Sequence, residues 1–253
     1  MRFLVALMVS ALIPAVALTD RTVVVADGSI RIRCGGERLQ GRPLVVLEAG
    51  AGNGAETWSK VQPAIAEFAR ACAYDRPGLV RNAPTRPQTP TPDDMVRTLD
   101  AVLTAAGEAP PYVLVGHSLG GMIVRLYVTR FPERVVGMVL IDSSHEDQLR
   151  RFAALNPAQA STPPPATRVE AFDLPALSAA LGAKPWRASI PLAVLTRSGD
   201  TTDASYRLWL ELQNELATRA PNASQVIAEG SGHYIQTDRP DLVIAAVRTV
   251  VSK

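Results

Sequence analysis

The sequence predicts an α/β protein: a mostly parallel central sheet, an antiparallel hairpin at its N-terminal side, and helices on both faces. Three observations carry this. Short apolar runs alternate with amphipathic stretches along most of the chain. One early segment alone has a strand-turn-strand pattern. Several later runs are apolar throughout, as strands buried on both faces require.

The hairpin comes first. Residues 22–26 are β-branched and apolar, Asp27-Gly28 is a turn signal, and residues 29–34 resume as a strand. In that strand Ile30, Ile32 and Cys34 fall on one face, with Arg31 and Arg33 on the other. Residues 43–48 then form a continuous apolar run, followed by a glycine-rich turn at 50–54. Trp58, Val61, Ile65 and Phe68 sit at helical spacing and predict a helix over 58–70. Residues 71–74 predict a strand, 83–92 a proline-rich loop, and Asp93 or Asp94 the cap of a helix carrying Met95, Leu99 and Val102. Further strands are expected at 112–115, 135–141, 191–195 and 225–228. Helices are expected after Gly121, over 206–219 and over 240–251. The stretch 143–189 interrupts the alternation and is expected to be a short lid over the carboxyl ends of the strands.

The N-terminus differs in kind. Arg2 precedes an apolar run over 3–13, then Pro14 and the small-x-small pattern Ala15-Val16-Ala17. This reads as a secretory signal peptide over residues 1–17, leaving 18–253 as a single domain. The run is short for a spanning helix, which needs about 20 residues. The expected location is therefore periplasmic or secreted, without stable membrane insertion after cleavage. An even count of cysteines, Cys34 and Cys72, permits a disulfide in such a compartment; two buried thiols are the alternative.

A hydrophobic share of 47% supports a sizeable core, and a net charge of +2 gives no electrostatic case for nucleic acid. A basic stripe with interleaved aromatics is absent from the sequence, so no nucleic-acid partner is expected.

The chemistry concentrates in Gly116-His117-Ser118-Leu119-Gly120, between an expected buried strand and a helix. A turn that tight needs residues without bulk two before and two after the serine. It lifts the serine hydroxyl above the sheet at a helix N-terminus, where negative charge is favoured. Ser118 is thus the candidate nucleophile, and the Leu119 N–H one oxyanion donor. A serine hydroxyl needs a base. Of three histidines, His117 adjoins the serine and is expected to point away from it, and His145 follows a strand and could line the site. His233, in Gly230-Ser231-Gly232-His233 between the last strand and the last helix, is the candidate base.

These segments resemble the α/β-hydrolase superfamily, in particular bacterial esterase-like members with a short lid. The match runs through Val45-Val46-Leu47-Glu48-Ala49-Gly50-Ala51-Gly52, Tyr74-Asp75-Arg76-Pro77-Gly78, the Ser118 turn, Val139-Leu140-Ile141-Asp142-Ser143-Ser144-His145 and Gly230-Ser231-Gly232-His233. The resemblance covers nearly all of 22–251. Two departures stand out: Ala49-Gly50-Ala51 occupies the place of a frequent His-Gly-x, and Leu79-Val80-Arg81-Asn82 continues where Gly-x-Ser is usual. The resemblance implies the Ala51 N–H as second oxyanion donor and agrees with the order Ser118 then His233. It leaves two places for the acid. Asp142 ends the 135–141 strand, the position that the subgroup with Asp-Ser-Ser-His favours. Asp200 follows the 191–195 strand, where most members carry the acid. Asp203 is a third candidate. The resemblance also implies that Cys34 and Cys72 lie on adjacent strands and pair as a disulfide.

The expected function is hydrolysis of a small or medium-sized carboxylic ester through an acyl-enzyme, without cofactor and without metal. Two rivals remain. Gly50-Ala51-Gly52-Asn53-Gly54-Ala55 after a strand, with Asp75 ending the next, fits a dinucleotide-binding fingerprint. A non-catalytic binding protein of the same fold is the other.

Overall fold

The structure is a computed structural model that describes residues 16–79, 89–157, 172–183, 186 and 189–253. Most of the expected signal peptide, part of the proline-rich loop and parts of the expected lid lie outside the described residues.

Strand β1 (Leu18–Val25) pairs antiparallel with β2 (Gly28–Gly35), from Leu18↔Gly35 to Val25↔Gly28. The two-residue turn is therefore Ala26-Asp27, one position earlier than the Asp27-Gly28 signal suggests. The reason is register: moving the pairing by one residue would turn Ile30, Ile32 and Cys34 out of the core. Those three are buried, and Gly28 closes the turn with φ 110°.

The other strands are β3 (Leu44–Glu48), β4 (Ala71–Tyr74), β5 (Tyr112–His117), β6 (Val135–Ile141), β7 (Leu192–Arg197) and β8 (Ser224–Ala228). They complete one sheet of order β1-β2-β4-β3-β5-β6-β7-β8. β2 meets β4 antiparallel, and every pairing from β4 to β8 is parallel. β3 reads apolar throughout because both its faces are covered. Leu44 and Val46 join the core on one side of the sheet, Val45 and Leu47 the core on the other.

Helix α1 (Gln62–Ala66) is shorter than the spacing from Trp58 predicts. A 3-10 turn, Ala55–Trp58, precedes it separately. Pro63 explains the break: it lacks the N–H that would continue a helix from Ser59, but fits the first turn of a new one. Helix α2 (Pro92–Ala105) is capped by Thr91 rather than by Asp93 or Asp94. The Asp94 N–H donates to Thr91 Oγ1 at 3.2 Å, and the Thr91 N–H donates to Asp94 Oδ2 at 2.9 Å. This reciprocal box frees Pro92 for the first helical position, where it loses no hydrogen bond.

Helix α3 (Leu119–Arg130) runs down from β5 and is buried over most of its surface. In the insertion, α4 (Gln148–Leu155) and α5 (Leu174–Ala183) are described. Helix α6 (Ala204–Ala217) is capped by Asp203; α7 (Ile235–Asp238) and α8 (Pro240–Val251) close the chain. Among the described residues no helix is long and apolar enough to cross a membrane. Cys34 faces Cys72 in the β2–β4 register, and the two form a disulfide with their Cα atoms 4.2 Å apart.

Candidate active site

The site gathers at the carboxyl ends of β3, β5, β6 and β7 and in the loop after β8. Ser118 caps α3 with φ 52° and ψ −120°, a conformation that L-residues seldom adopt, and its side chain makes no capping hydrogen bond. The turn is close enough that neighbouring glycines are obligatory. A Cβ on Gly116 would lie 2.7 Å from the Gly121 Cα, and one on Gly120 would overlap the Glu48 carbonyl oxygen. With both sites empty, the strand turns into the helix at Ser118 and leaves the hydroxyl without a structural duty.

The two expected oxyanion donors are oriented by what holds the preceding carbonyls. The Ser118 carbonyl accepts from the Gly121 N–H at 3.0 Å and the Ser144 N–H at 3.1 Å. Because a trans peptide sets C=O and N–H in opposite directions, the Leu119 N–H points the other way. As first residue of α3 it has no carbonyl within the helix to serve. Arg76 does the same for the loop after β3. Its guanidinium donates to Ala49 O at 2.6 Å and to Gly50 O at 2.7 Å, and pairs with the buried Glu48 carboxylate at 2.6 Å. The Gly50 carbonyl is thereby drawn inward, and the Ala51 N–H turns outward. Gly50 lies against the elbow: a Cβ there would stand 3.2 Å from the Ser118 Cβ. The sequence reading missed Glu48 and Arg76 as positioning groups. The available signal was a glutamate ending a run otherwise buried on both faces, which demands a cation.

His233 Nδ1 lies 2.6 Å from Asp142 Oδ2. Asp142 follows β6 with φ 41° and is fully buried. Its other contacts are the Trp209 indole N–H on Oδ1 at 2.7 Å, the Arg197 N–H on Oδ1 at 3.2 Å, and the Arg197 guanidinium on Oδ2 at 2.6 Å. Burial pushes against ionisation, but the His233 hydrogen bond, the Arg197 charge and the indole outweigh it, holding the carboxyl below its ordinary pKa. Asp200 is exposed and turned to its own loop, with Oδ1 accepting from the Thr202 N–H at 2.8 Å. Asp203 takes the Ser205 N–H at 2.8 Å as the cap of α6. Of the three acid candidates, the structure brings Asp142 to His233. Trp209 and Arg197 were not singled out in the sequence, where a helix tryptophan and a strand-end arginine carry no mark of a common partner.

His117 packs under His233, with ring centroids 4.6 Å apart and its Nε2 2.9 Å from the His233 carbonyl oxygen. It therefore steadies the base loop. His145, which could have lined the site, is instead buried in an ionic cluster. The Arg125 guanidinium there donates to Glu146 and to Ser144 O, both at 2.6 Å, and Arg219 also pairs with Glu146. The Asp147 N–H donates to His145 Nδ1 at 3.0 Å. Burial lowers the pKa of both His117 and His145 to about 4.

This has a measurable consequence. The unfolded chain binds a proton at each histidine below about 6.5, whereas the folded chain does so only near 4. The stabilisation from keeping both rings neutral is complete above pH 6.5 and is lost as pH falls towards 4. The expected loss over that window is on the order of 3 kcal/mol for each histidine. Melting temperatures from pH 7.5 to 4 should fall steeply. The fall should be shallower in His145→Asn, whose amide oxygen can still accept from the Asp147 N–H.

The loop 50–55 does not form a phosphate cradle. It leads into a 3-10 turn, and the Asp75 carboxylate takes the Ala55 N–H at 2.8 Å. The acid that a ribose would need is thus already engaged, by the Ala55 N–H and by Arg31 at 3.6 Å.

The family model of the alpha/beta hydrolase fold matches residues 42–246. The chain belongs to the α/β-hydrolase family. Uncharacterized protein YqjL of Bacillus subtilis (strain 168) is 28% identical to this α/β hydrolase over 217 residues, 81% of this chain and 82% of YqjL. Other curated relatives match over less than half of their own length. The crystal structure of a hydrolase from Pseudomonas aeruginosa PA01 superposes with a TM-score of 0.67 at 20% identity, covering 92% of this chain and 98% of that one. Carboxylesterase CesB of Bacillus subtilis does so with a TM-score of 0.64 at 17% identity, covering 93% and 92%. At these identities the two structures speak to the fold of this α/β hydrolase.

Proposed function

We propose that this protein is a serine hydrolase that cleaves a small or medium-sized carboxylic ester through an acyl-enzyme. The observation that carries the reading is the 2.6 Å approach of His233 Nδ1 to the buried Asp142 carboxylate, with the His233 ring packed on that of His117, the residue before a serine held at φ 52°. In this mechanism His233 accepts the Ser118 proton as the hydroxyl attacks the ester carbonyl. Asp142 fixes the tautomer that presents Nε2 to the serine and stabilises the imidazolium. The Ala51 and Leu119 N–H groups receive the charge that forms on the carbonyl oxygen. His233 then returns the proton to the leaving alcohol, and water repeats the sequence to release the acid. The choice of an ester over another acyl substrate is part of the proposal and follows the resemblance of the sequence to esterase-like members of the family. Export is part of the proposal, supported by the Cys34–Cys72 disulfide, which persists in oxidising compartments.

A fluorophosphonate probe tests the reading. Purified protein should be labelled stoichiometrically, with peptide mapping placing the adduct on Ser118, and should turn over p-nitrophenyl esters of graded acyl length. Labelling elsewhere, or none, would end it.

A further inference from the structure

The loop of the base carries one further aromatic side chain. Tyr234 follows His233 and is 42% exposed. Its ring stands edge-on to the imidazole, with centroids 5.5 Å apart and planes at 72°, and lies 5.2 Å from the His117 ring. Its hydroxyl accepts from Asn53 Nδ2 at 3.4 Å, on the loop after β3. Asn53 is itself fixed there. Its backbone N–H donates to Gly50 O at 3.2 Å and its side chain to Ala51 O at 2.9 Å. Tyr234 thus spans the base loop and the loop that carries Ala51. We propose that Tyr234 is the specificity-determining residue for the alcohol half of the ester, presenting its ring to a flat, aromatic leaving group. The inference rests on the reading above, in which His233 hands its proton to the departing alcohol.

The bonds of the attacked carbon assign the side. In the tetrahedral intermediate they run to Ser118 Oγ, to the oxygen facing the Ala51 and Leu119 N–H groups, to the alcohol oxygen and to the acyl chain. The alcohol oxygen must come within hydrogen-bond reach of the His233 ring, because it takes its proton there. The rest of the alcohol therefore passes alongside the imidazole, on the side of the base loop. Two rings touch that imidazole. His117 is buried and already engaged by the His233 carbonyl, whereas Tyr234 is open to solvent. An open phenol ring offers apolar area and a quadrupole, and both favour an aromatic partner over an alkyl group.

The main chain, not the ring, holds this part of the loop. The Tyr234 carbonyl accepts from the Thr237 N–H at 2.8 Å and the Asp238 N–H at 3.0 Å, which opens α7. The Lys60 ammonium donates to Thr237 O at 2.9 Å, and the Asp238 carboxylate takes the Gly232 N–H at 3.0 Å. None of these bonds uses the phenol. Changing the side chain should therefore leave His233 in place and alter the surface beside it.

The experiment compares wild type, Tyr234→Ala and Tyr234→Phe on two acetates that form the same acetyl-enzyme, 2-naphthyl acetate and methyl acetate. The readout is the ratio of their kcat/KM values, in which a loss common to both esters cancels. In Tyr234→Ala the ratio should fall about tenfold, the scale of one lost aromatic contact with its buried area. Tyr234→Phe keeps the ring and should restore most of it. Decay of the acetyl-enzyme in a single turnover, after the alcohol has departed, should change much less than acylation by 2-naphthyl acetate. A role confined to structure would lower both esters alike, and an unmoved ratio in a folded Tyr234→Ala would overturn the proposal. If that variant does not fold, Tyr234→Leu carries the same comparison, since it keeps bulk without an aromatic face. Binding of 2-naphthol, followed by its fluorescence, needs no turnover. Tyr234→Ala should bind it about tenfold more weakly than wild type, and equal affinity would overturn the proposal. A wild type that is silent towards esters and fluorophosphonate would sink the functional reading, while the naphthol measurement still decides the part played by Tyr234.

Discussion

Replacing Ser118 by alanine is expected to lower kcat for a p-nitrophenyl ester by about 10⁶-fold, equivalent to roughly 8 kcal/mol of transition-state stabilisation. The Ala51 and Leu119 donors would survive the change, so a small rate above the uncatalysed reaction should persist. Stability should barely move. The serine side chain makes no capping hydrogen bond, and alanine meets the same penalty at φ 52°. The melting temperature of Ser118→Ala should therefore lie within a few degrees of wild type. Ser118→Gly should be equally inactive but more stable by about 1–3 kcal/mol, because glycine adopts this backbone conformation without strain. Paired turnover and thermal-melt measurements check both. A Ser118→Ala protein with more than a small fraction of wild-type turnover would remove the nucleophile from the scheme.

Substituting Asp142 by asparagine is expected to lower kcat by about 10⁴-fold. An amide cannot accept at every point where this carboxylate accepts. If its oxygen keeps the Trp209 indole and the Arg197 N–H, its NH₂ group must face both His233 and the Arg197 guanidinium. His233 then turns its unprotonated nitrogen to the amide and presents a proton, not a lone pair, to the serine. Asp200→Asn and Asp203→Asn are expected to stay within about twofold of wild type, since both side chains serve local turns and surface caps. Measuring kcat for the three variants side by side separates the candidates. Loss on Asp200→Asn, with Asp142→Asn spared, would move the acid back to the strand end where most of the family carries it.

Much of the fold was legible because its signals are local. A run buried on both faces reads as continuous apolarity, which is why β6 falls at its expected bounds, while α8 is marked by Pro240 at its start and buried valines at helical spacing. The Ser118 elbow announces itself through glycines that the turn geometry demands. What stayed hidden depends on contacts between distant segments, or on one residue overriding a pattern. The spacing of Trp58, Val61, Ile65 and Phe68 suits a helix, yet Pro63 splits it in two. The sequence points to Asp93 or Asp94 as the cap of α2, and the reciprocal bond between Thr91 and Asp94 moves the cap to Thr91. Asp142 and Asp200 look alike in sequence, since each lies at or just beyond the carboxyl end of a strand. They differ only once β6, β7 and the loop after β8 are set side by side, with Trp209 and Arg197 already on one of the two carboxylates. The ionic partners of Glu48 were equally invisible, although a buried glutamate declares that it needs some.

The order of the strands in the sheet has a consequence for when the site comes into being. Neighbours in the sheet are distant in the chain: β4 sits between β2 and β3, and His233 reaches Asp142 only after β7 and β8 have been added beyond β6. Such non-local pairings form late, after loop closures that local helices do not require. On the proposed mechanism, a chain that lacks β8 and the loop behind it has the serine, the acid and both donors but no base. On that reading the serine gains its base only when the last strand and the loop behind it join the sheet.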